Sequence, residues 1–147
     1  MQALTSPPEG ERTIDAKDLA LAIAETLDAK KAEDVQIIDV GERLKVADFF
    51  VVCTGLSRAH VRGLYDEVHV RMKALGERHT PVQGADLGWW IVVDYSDVVV
   101  HILQPDAREY YDIDRLYDDC PRLGWTPSSD DERASSAGDE RASSAGA

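Results

Sequence analysis

Histidine and cysteine are the side chains in this sequence best suited to acid–base, nucleophilic or metal chemistry. The four histidines (His60, His69, His79 and His101) include no His-Glu-x-x-His or similar pair that would hold a metal. Cys53 and His101 fall in predicted strands, where a nucleophile and a base can meet, but their spacing offers no support beyond coincidence. Cys53 lies in an apolar run, as buried free thiols do, and shares no metal-ligand spacing with Cys120. We therefore predict no catalytic residues and no metal site.

The segment Gly55-Leu56-Ser57 is the best candidate for binding an anion. Amides at a helix N-terminus can hold a phosphate, although the same three residues suit any strand-to-helix turn, which we favour. Nucleotidyltransferases with a Gly-Ser turn place a magnesium-binding Asp-x-Asp just after it. Here the following helix has only Asp66-Glu67, and Asp112-Ile113-Asp114 lies far downstream. This order argues against a nucleotidyltransferase, and we predict no cofactor.

Aromatic side chains crowd into the second half of the sequence. Trp89, Trp90 and Tyr95 accompany a predicted hairpin, and Tyr110, Tyr111 and Tyr117 follow it. Neighbouring residues of a strand point to opposite faces, so the two tryptophans are predicted to diverge. Exposed Trp, Tyr and Arg dominate protein-binding hot spots. From the residues alone, these rings suit a binding surface and a fully covered core equally well.

The composition is that of a soluble, acidic protein. The net charge is −12, of which −8 belongs to residues 15–125. Because nucleic-acid affinity comes largely from Lys and Arg, this balance favours a basic protein partner over direct nucleic-acid binding; acidity that merely keeps the protein soluble explains the charge equally well. The sequence has no apolar run of the roughly 20 residues that a membrane helix needs, and its N-terminus does not resemble a secretory signal. We therefore expect a cytoplasmic protein without membrane contact.

The chain is predicted to hold one domain between two flexible ends. Residues 1–13 form a short flexible N-terminus, 14–125 the domain, and 126–147 a disordered acidic tail. The tail contains one eight-residue segment twice, at 131–138 and 139–146. Such a polar repeat has little to bury, so we interpret it as a tail and not as a structural module.

Hydrophobic periodicity within 14–125 predicts the order α-β-β-α-(β)-β-β-α. Asp15 and Ser57 are candidate caps for helices that end near residues 31 and 75. Strands are predicted at 34–40, 48–54, 89–94 and 98–103, with a turn at 41–43 and a short edge strand or loop at 81–84. The 48–54 strand is apolar throughout, which indicates burial on both faces. A last helical segment runs from Pro105 to Cys120. The fold class is α/β (α+β), a mixed β-sheet flanked by helices.

Landmarks spread over residues 34–119 resemble the ribosomal silencing factor (RsfS, or Iojap) family. They are Ile38-Asp39-Val40, the run Ala47 to Gly55 with Ser57, His60-Val61, Gly84, Trp90 to Tyr95, Asp97 to Ile102, Arg108 to Asp112, and Arg115-Leu116. The blocks from Trp90 to Ile102 and at Arg108-Glu109-Tyr110-Tyr111 are the most specific. The chain departs from the family pattern at Gln83, Leu103 and Tyr117, and these departures concern local contacts and not the family assignment.

The resemblance implies a nucleotidyltransferase-like fold without the catalytic acids. It also implies a non-enzymatic protein that binds the large ribosomal subunit through a conserved ribosomal protein at the intersubunit face. There it would block small-subunit joining and repress translation under nutrient limitation, and it could form a homodimer when free. The partner-binding residues carried over by motif are Trp90, Asp94, Tyr95, His101, Arg108 and Tyr111. Two alternatives remain open: a nucleotide-binding or nucleotidyltransferase-like enzyme, and a self-associating adaptor.

Overall fold

A computed structural model describes residues 14–79 and 81–125. The flexible N-terminus predicted for 1–13 and the repeat-containing tail predicted for 126–147 lie outside the described residues. Within the described residues, nine elements follow in chain order: α1 Ala16–Ala29, β1 Glu33–Asp39, α2 Gly41–Leu44, β2 Phe49–Thr54, α3 Arg58–Ala74, β3 Trp90–Asp94, β4 Val98–Leu103, α4 Pro105–Tyr111 and α5 Ile113–Leu116. The predicted fold class, a mixed sheet flanked by helices, is confirmed.

The two long helices begin at the predicted caps. The Asp15 carboxylate accepts a hydrogen bond from the Asp18 amide at 2.9 Å, and the Ser57 hydroxyl accepts one from the His60 amide at 3.0 Å. Each cap satisfies a backbone donor that the first helical turn leaves without a partner. After α3, Gly76 adopts φ +83°, a left-handed conformation that ends helices and that glycine takes without steric cost.

The four strands form one mixed sheet in the order β1-β2-β4-β3. β1 pairs antiparallel with β2, β2 pairs parallel with β4, and β4 pairs antiparallel with β3. The interior strand β2 is buried from Phe50 to Thr54, which confirms the prediction of burial on both faces. Its register with β4 places Val52 beside His101, and that pairing fixes which side chains share a face.

Hydrophobic clusters cover the two faces of the sheet unequally. On one face, α1 and α3 pack over the sheet through fully buried side chains such as Leu19, Ile23, Leu64 and Met72. The other face holds a smaller cluster that includes Ile38, Phe50, Val52, Leu103 and Ile113, with α4 and α5 beside it. Because α4 and α5 are short, this second face is the one on which large aromatic side chains reach the surface.

Two local predictions need correction. The turn expected at 41–43 is a one-turn helix, α2, which ends at Lys45 in the left-handed conformation. The single helical segment expected after Pro105 is broken at Asp112, which adopts φ +52° and separates α4 from α5. The apolar periodicity of a sequence does not show where φ becomes positive at a single polar residue. Aspartate tolerates this left-handed conformation better than most side chains do. The segment at 81–84 pairs with the sheet only through a bridge between Gln83 and Val92.

Candidate partner-binding face

A continuous row of aromatic rings crosses the less covered face of the sheet. The distances between ring centroids are 5.6 Å from Trp89 to Tyr111, 4.3 Å from Tyr111 to Trp90, and 5.8 Å from Trp90 to His101. The row continues from His101 to Phe50 at 4.5 Å and from Phe50 to Tyr117 at 5.2 Å. Tilted and edge-on contacts at these separations are the geometries that aromatic pairs prefer. We call this set, together with Tyr110, the aromatic row.

One end of the aromatic row is exposed, and we call it the exposed patch. Tyr110 is 74% exposed, Trp89 37% and Tyr111 36%. Their rings pack against one another, and the Tyr110 ring centroid lies 5.0 Å from that of Tyr111 and 6.2 Å from that of Trp89. The opposite end of the row is covered by Arg43, whose guanidinium carbon lies 4.7 Å above the Tyr117 ring. The patch is therefore an apolar surface that rests on a packed aromatic layer.

The predicted divergence of the two tryptophans is not observed, because both rings contact Tyr111. β3 begins at Trp90, so Trp89 precedes the strand and is not subject to its alternation. Gly88, just before it, has φ +66°, which turns the chain at this point. Trp89 consequently joins the exposed patch, while Trp90 lies half-buried behind it.

His101 is buried in the middle of the aromatic row. The Trp90 indole Nε1 donates a hydrogen bond to His101 Nδ1 at 3.2 Å. Burial lowers the pKa of His101 to about 4, so the ring is neutral at physiological pH. A neutral ring that accepts at Nδ1 carries its proton on Nε2, and the buried Nε2 has no hydrogen-bond partner. His101 is therefore held in the aromatic row by an indole–imidazole bond.

Arg108 joins four elements around α4. Its Nε and Nη2 donate to the two carboxylate oxygens of Asp114, both at 2.9 Å. Its Nη1 donates to the Asp34 carbonyl at 2.8 Å and to the Thr54 hydroxyl at 3.0 Å. Burial alone would lower the pKa of Arg108, but the bonds and charge of Asp114 outweigh it and raise that pKa. The same hydrogen bonds hold the pKa of Asp114 below its ordinary value. Arg108 thus fixes α4 and α5 against the ends of β1 and β2.

Asp94 and Tyr95 lie apart from this group. The Asp94 carboxylate accepts a hydrogen bond from the Ser96 amide at 2.7 Å and so closes the β3–β4 turn, where Ser96 has φ +80°. Tyr95 is 1% exposed and belongs to the cluster under α1 and α3, with its ring 5.3 Å from that of His79. Burial is also the main cause that raises the pKa of Tyr95. Neither side chain belongs to the aromatic row.

Of the six predicted contact residues, Trp90, His101 and Tyr111 are therefore brought together, and Arg108 is buried where it supports them. Only Tyr111 among these six belongs to the exposed patch. The list carried over by motif lacked Tyr110 and Trp89. The aromatic crowding in the sequence indicated both, but periodicity could not tell which rings reach solvent.

The alternative chemistries receive little support from the described residues. Val52 and His101 share one face, so Cys53 points to the other, and burial raises the pKa of its thiol to about 12. The Leu56 amide in the Gly-Ser turn already donates to His60 Nδ1 at 3.0 Å, as a structural turn would require. Within 14–79 and 81–125, no three His, Cys, Asp or Glu side chains form a group able to hold a metal ion. No helix in these ranges is long and apolar enough to cross a membrane.

Comparison with known proteins gives the family. A family model described as "Ribosomal silencing factor during starvation" matches residues 13–147. The chain belongs to the ribosomal silencing factor (RsfS) family. The ribosomal silencing factor of Treponema pallidum is 38% identical over 108 residues, covering 73% of this chain and 96% of that protein.

Two further relatives extend the family comparison. A crystal structure of a protein from Chromobacterium violaceum shares 30% identity with this RsfS chain and a TM-score of 0.69, covering 78% of this chain and 92% of the other. A mouse protein named "Mitochondrial assembly of ribosomal large subunit protein 1" is 25% identical over 91 residues, which is 60% of this chain and 40% of the mouse protein. The resemblance inferred from the sequence landmarks is thus confirmed at the level of the family.

Proposed function

We propose that this protein binds the large ribosomal subunit at its intersubunit face and excludes the small subunit by occupying the joining site. The observation that carries this proposal is the exposed patch of Trp89, Tyr110 and Tyr111 on a packed aromatic layer. Exposed aromatic side chains with little freedom to move contribute disproportionately to protein interfaces, where a single hot spot accounts for about 2 kcal/mol or more. The mechanism is steric, and the protein forms and breaks no bonds.

The charge around the exposed patch favours a basic partner. Residues 105–119, which include α4 and α5, contain six Asp and Glu but only two Arg, a net charge of −4. Arg108 is buried against Asp114, so it contributes little positive potential at the surface. Complementary charge speeds association and selects among partners. A basic ribosomal protein at the intersubunit face fits this surface better than bare RNA does.

The names of the relatives support the same function. Several bacterial relatives are named ribosomal silencing factors, and the name of the mouse relative refers to assembly of the large ribosomal subunit. Repression of translation under starvation follows if the joining site is occupied when nutrients are scarce. A protein with this role acts in the cytoplasm, where bacterial ribosomes work.

Co-sedimentation with purified large subunits tests the binding step. We expect Tyr110→Ala and Trp89→Ala each to weaken binding by about tenfold or more, because each removes a ring from the exposed patch. Val70→Ala is the matched control, since Val70 is also an exposed apolar residue but lies on α3, on the other side of the sheet. Wild-type affinity in both patch variants, with normal folding, would refute the assignment of this face.

A second copy of the chain is the other candidate occupant of the exposed patch, in a homodimer formed when the protein is free. The observation that favours it is the same group of exposed apolar rings, which a dimer would remove from water. Sedimentation velocity over a range of protein concentrations measures it. If the patch closes a dimer, Tyr110→Ala lowers the dimer fraction and Val70→Ala does not.

A further inference from the structure

The indole of Trp90 is held by one directed bond. Its Nε1–H donates to His101 Nδ1 at 3.2 Å, and its ring centroid lies 4.3 Å from that of Tyr111 in the exposed patch. Trp90 is the ring that connects the buried part of the aromatic row to the exposed patch. A tryptophan side chain has two rotatable bonds, so the packing of the Tyr111 ring depends on the angle at which the indole is fixed.

His101 has a fixed orientation of its own. The Phe50 ring packs against it at 4.5 Å from one side, and the Trp90 ring lies 5.8 Å away. The side chain is 7% exposed, and Nε2 is left without a partner. A buried donor without a partner is costly, so a histidine here is a poor choice for packing alone. An aromatic hydrocarbon ring would fill the same space without that cost, which indicates that the accepting Nδ1 is the useful feature.

We propose that His101 is a positioning residue for the docking surface: its Nδ1 sets the orientation of the Trp90 indole, which in turn supports Tyr111 in the exposed patch. This inference rests on the proposed function, because the positioned surface is the one that meets the large subunit. His101 itself makes no contact with the partner. Its contribution to binding passes through the hydrogen bond to Trp90.

Two substitutions separate the acceptor from the ring. His101→Asn removes the ring but keeps an acceptor, because Asn Oδ1 is attached to Cγ as His Nδ1 is. His101→Phe keeps a ring that packs against Phe50 but cannot accept a hydrogen bond. If positioning is the role, the affinity for large subunits decreases in the order wild type, His101→Asn, His101→Phe. We expect His101→Asn to bind within about threefold of the wild type and His101→Phe to bind about tenfold more weakly. If the role is packing alone, Phe binds better than Asn, because large apolar rings fill cores best.

A spectroscopic measurement on the free protein reports the bond directly. The Trp90 indole Nε1–H resonance in a ¹H–¹⁵N spectrum responds to the acceptor, and Trp90→Phe assigns it by loss of the signal. We expect the hydrogen-bonded chemical shift to persist in His101→Asn and to move upfield in His101→Phe. In a Trp90→Phe background, His101→Phe should cause no further loss of binding, since the bond is already absent.

The outcomes are distinguishable even if one variant folds poorly. Melting curves identify such a variant, and if it is His101→Phe, the indole Nε1–H resonance of His101→Asn still tests the hydrogen bond, because that variant keeps an acceptor. Binding in the reversed order, or an unchanged indole resonance in His101→Phe, would overturn the inference while leaving the proposed function in place. Failure of the wild-type protein to bind large subunits would instead remove the proposed function, and this inference with it.

Discussion

Removal of the Arg108 side chain should release α4 from the sheet, and Arg108→Met is the variant that tests this. The substitution keeps much of the apolar stem but deletes two hydrogen bonds to Asp114, one to the Asp34 carbonyl and one to Thr54. Leaving a buried polar group unpaired costs about 1–3 kcal/mol. The Asp114 side chain is 37% exposed, so water replaces part of the hydrogen bonding that it loses in the variant. The free-energy cost of leaving Asp114 without Arg108 is therefore smaller than for a buried group. We expect a total loss of about 3 kcal/mol from the free energy of unfolding.

Urea denaturation followed by circular dichroism measures this loss. With a typical m value for a small domain, 3 kcal/mol corresponds to a fall of about 2 M in the midpoint. Arg115→Met is the matched control, because Arg115 is an exposed arginine on α5 and its replacement should change the free energy of unfolding by less than about 0.5 kcal/mol. A loss below about 1 kcal/mol for Arg108→Met would refute the view that this arginine fixes α4 and α5.

Two further predictions concern His101 and Gly84. Burial lowers the pKa of His101 in the folded protein to about 4, so between pH 6.5 and 4 the unfolded chain binds more protons, and stability falls as the pH is lowered. The free energy of unfolding, measured with urea, should therefore fall between pH 7.5 and pH 5 by about 2 kcal/mol more in the wild type than in His101→Asn. An equal fall in the two proteins would contradict this prediction. In Gly84→Ala, the added Cβ would overlap the Trp90 carbonyl oxygen, and alanine would be strained at φ +87°, so we expect a melting temperature more than about 10 °C lower, whereas Gly63→Ala, in open space, should not lower it.

The sequence predicted the framework of the fold because its signals are local. Asp15 and Ser57 cap α1 and α3 as their positions indicate, and the unbroken apolar run of β2 corresponds to an interior strand. These features depend on spacing and on side-chain chemistry within one element. The break at Asp112 was missed because it lies in the backbone of a single residue, and the side-chain bonds from Arg108 to Asp114 that span it leave no mark in the apolar pattern.

The candidate site was predicted only in part, for a related reason. The motif indicated Trp90, His101 and Tyr111, which lie together, but also Tyr95, whose ring is buried on the other face. Tyr95 follows the last residue of β3, and its ring packs in the cluster under α1 and α3, so a residue of the same motif lies far from the aromatic row. The exposure of Tyr110 depends on how α4 docks against the sheet, and that docking is set by tertiary contacts that no periodicity records.

A subunit-joining assay tests the central claim most directly. Purified small and large subunits are mixed with saturating protein, and whole ribosomes are measured by sedimentation. We predict that the wild-type protein and Val70→Ala abolish whole-ribosome formation, whereas the double variant Trp89→Ala, Tyr110→Ala at the same concentration leaves most of it intact. Unchanged formation of whole ribosomes in the presence of saturating wild-type protein would contradict the proposal that this chain silences ribosomes by blocking subunit joining.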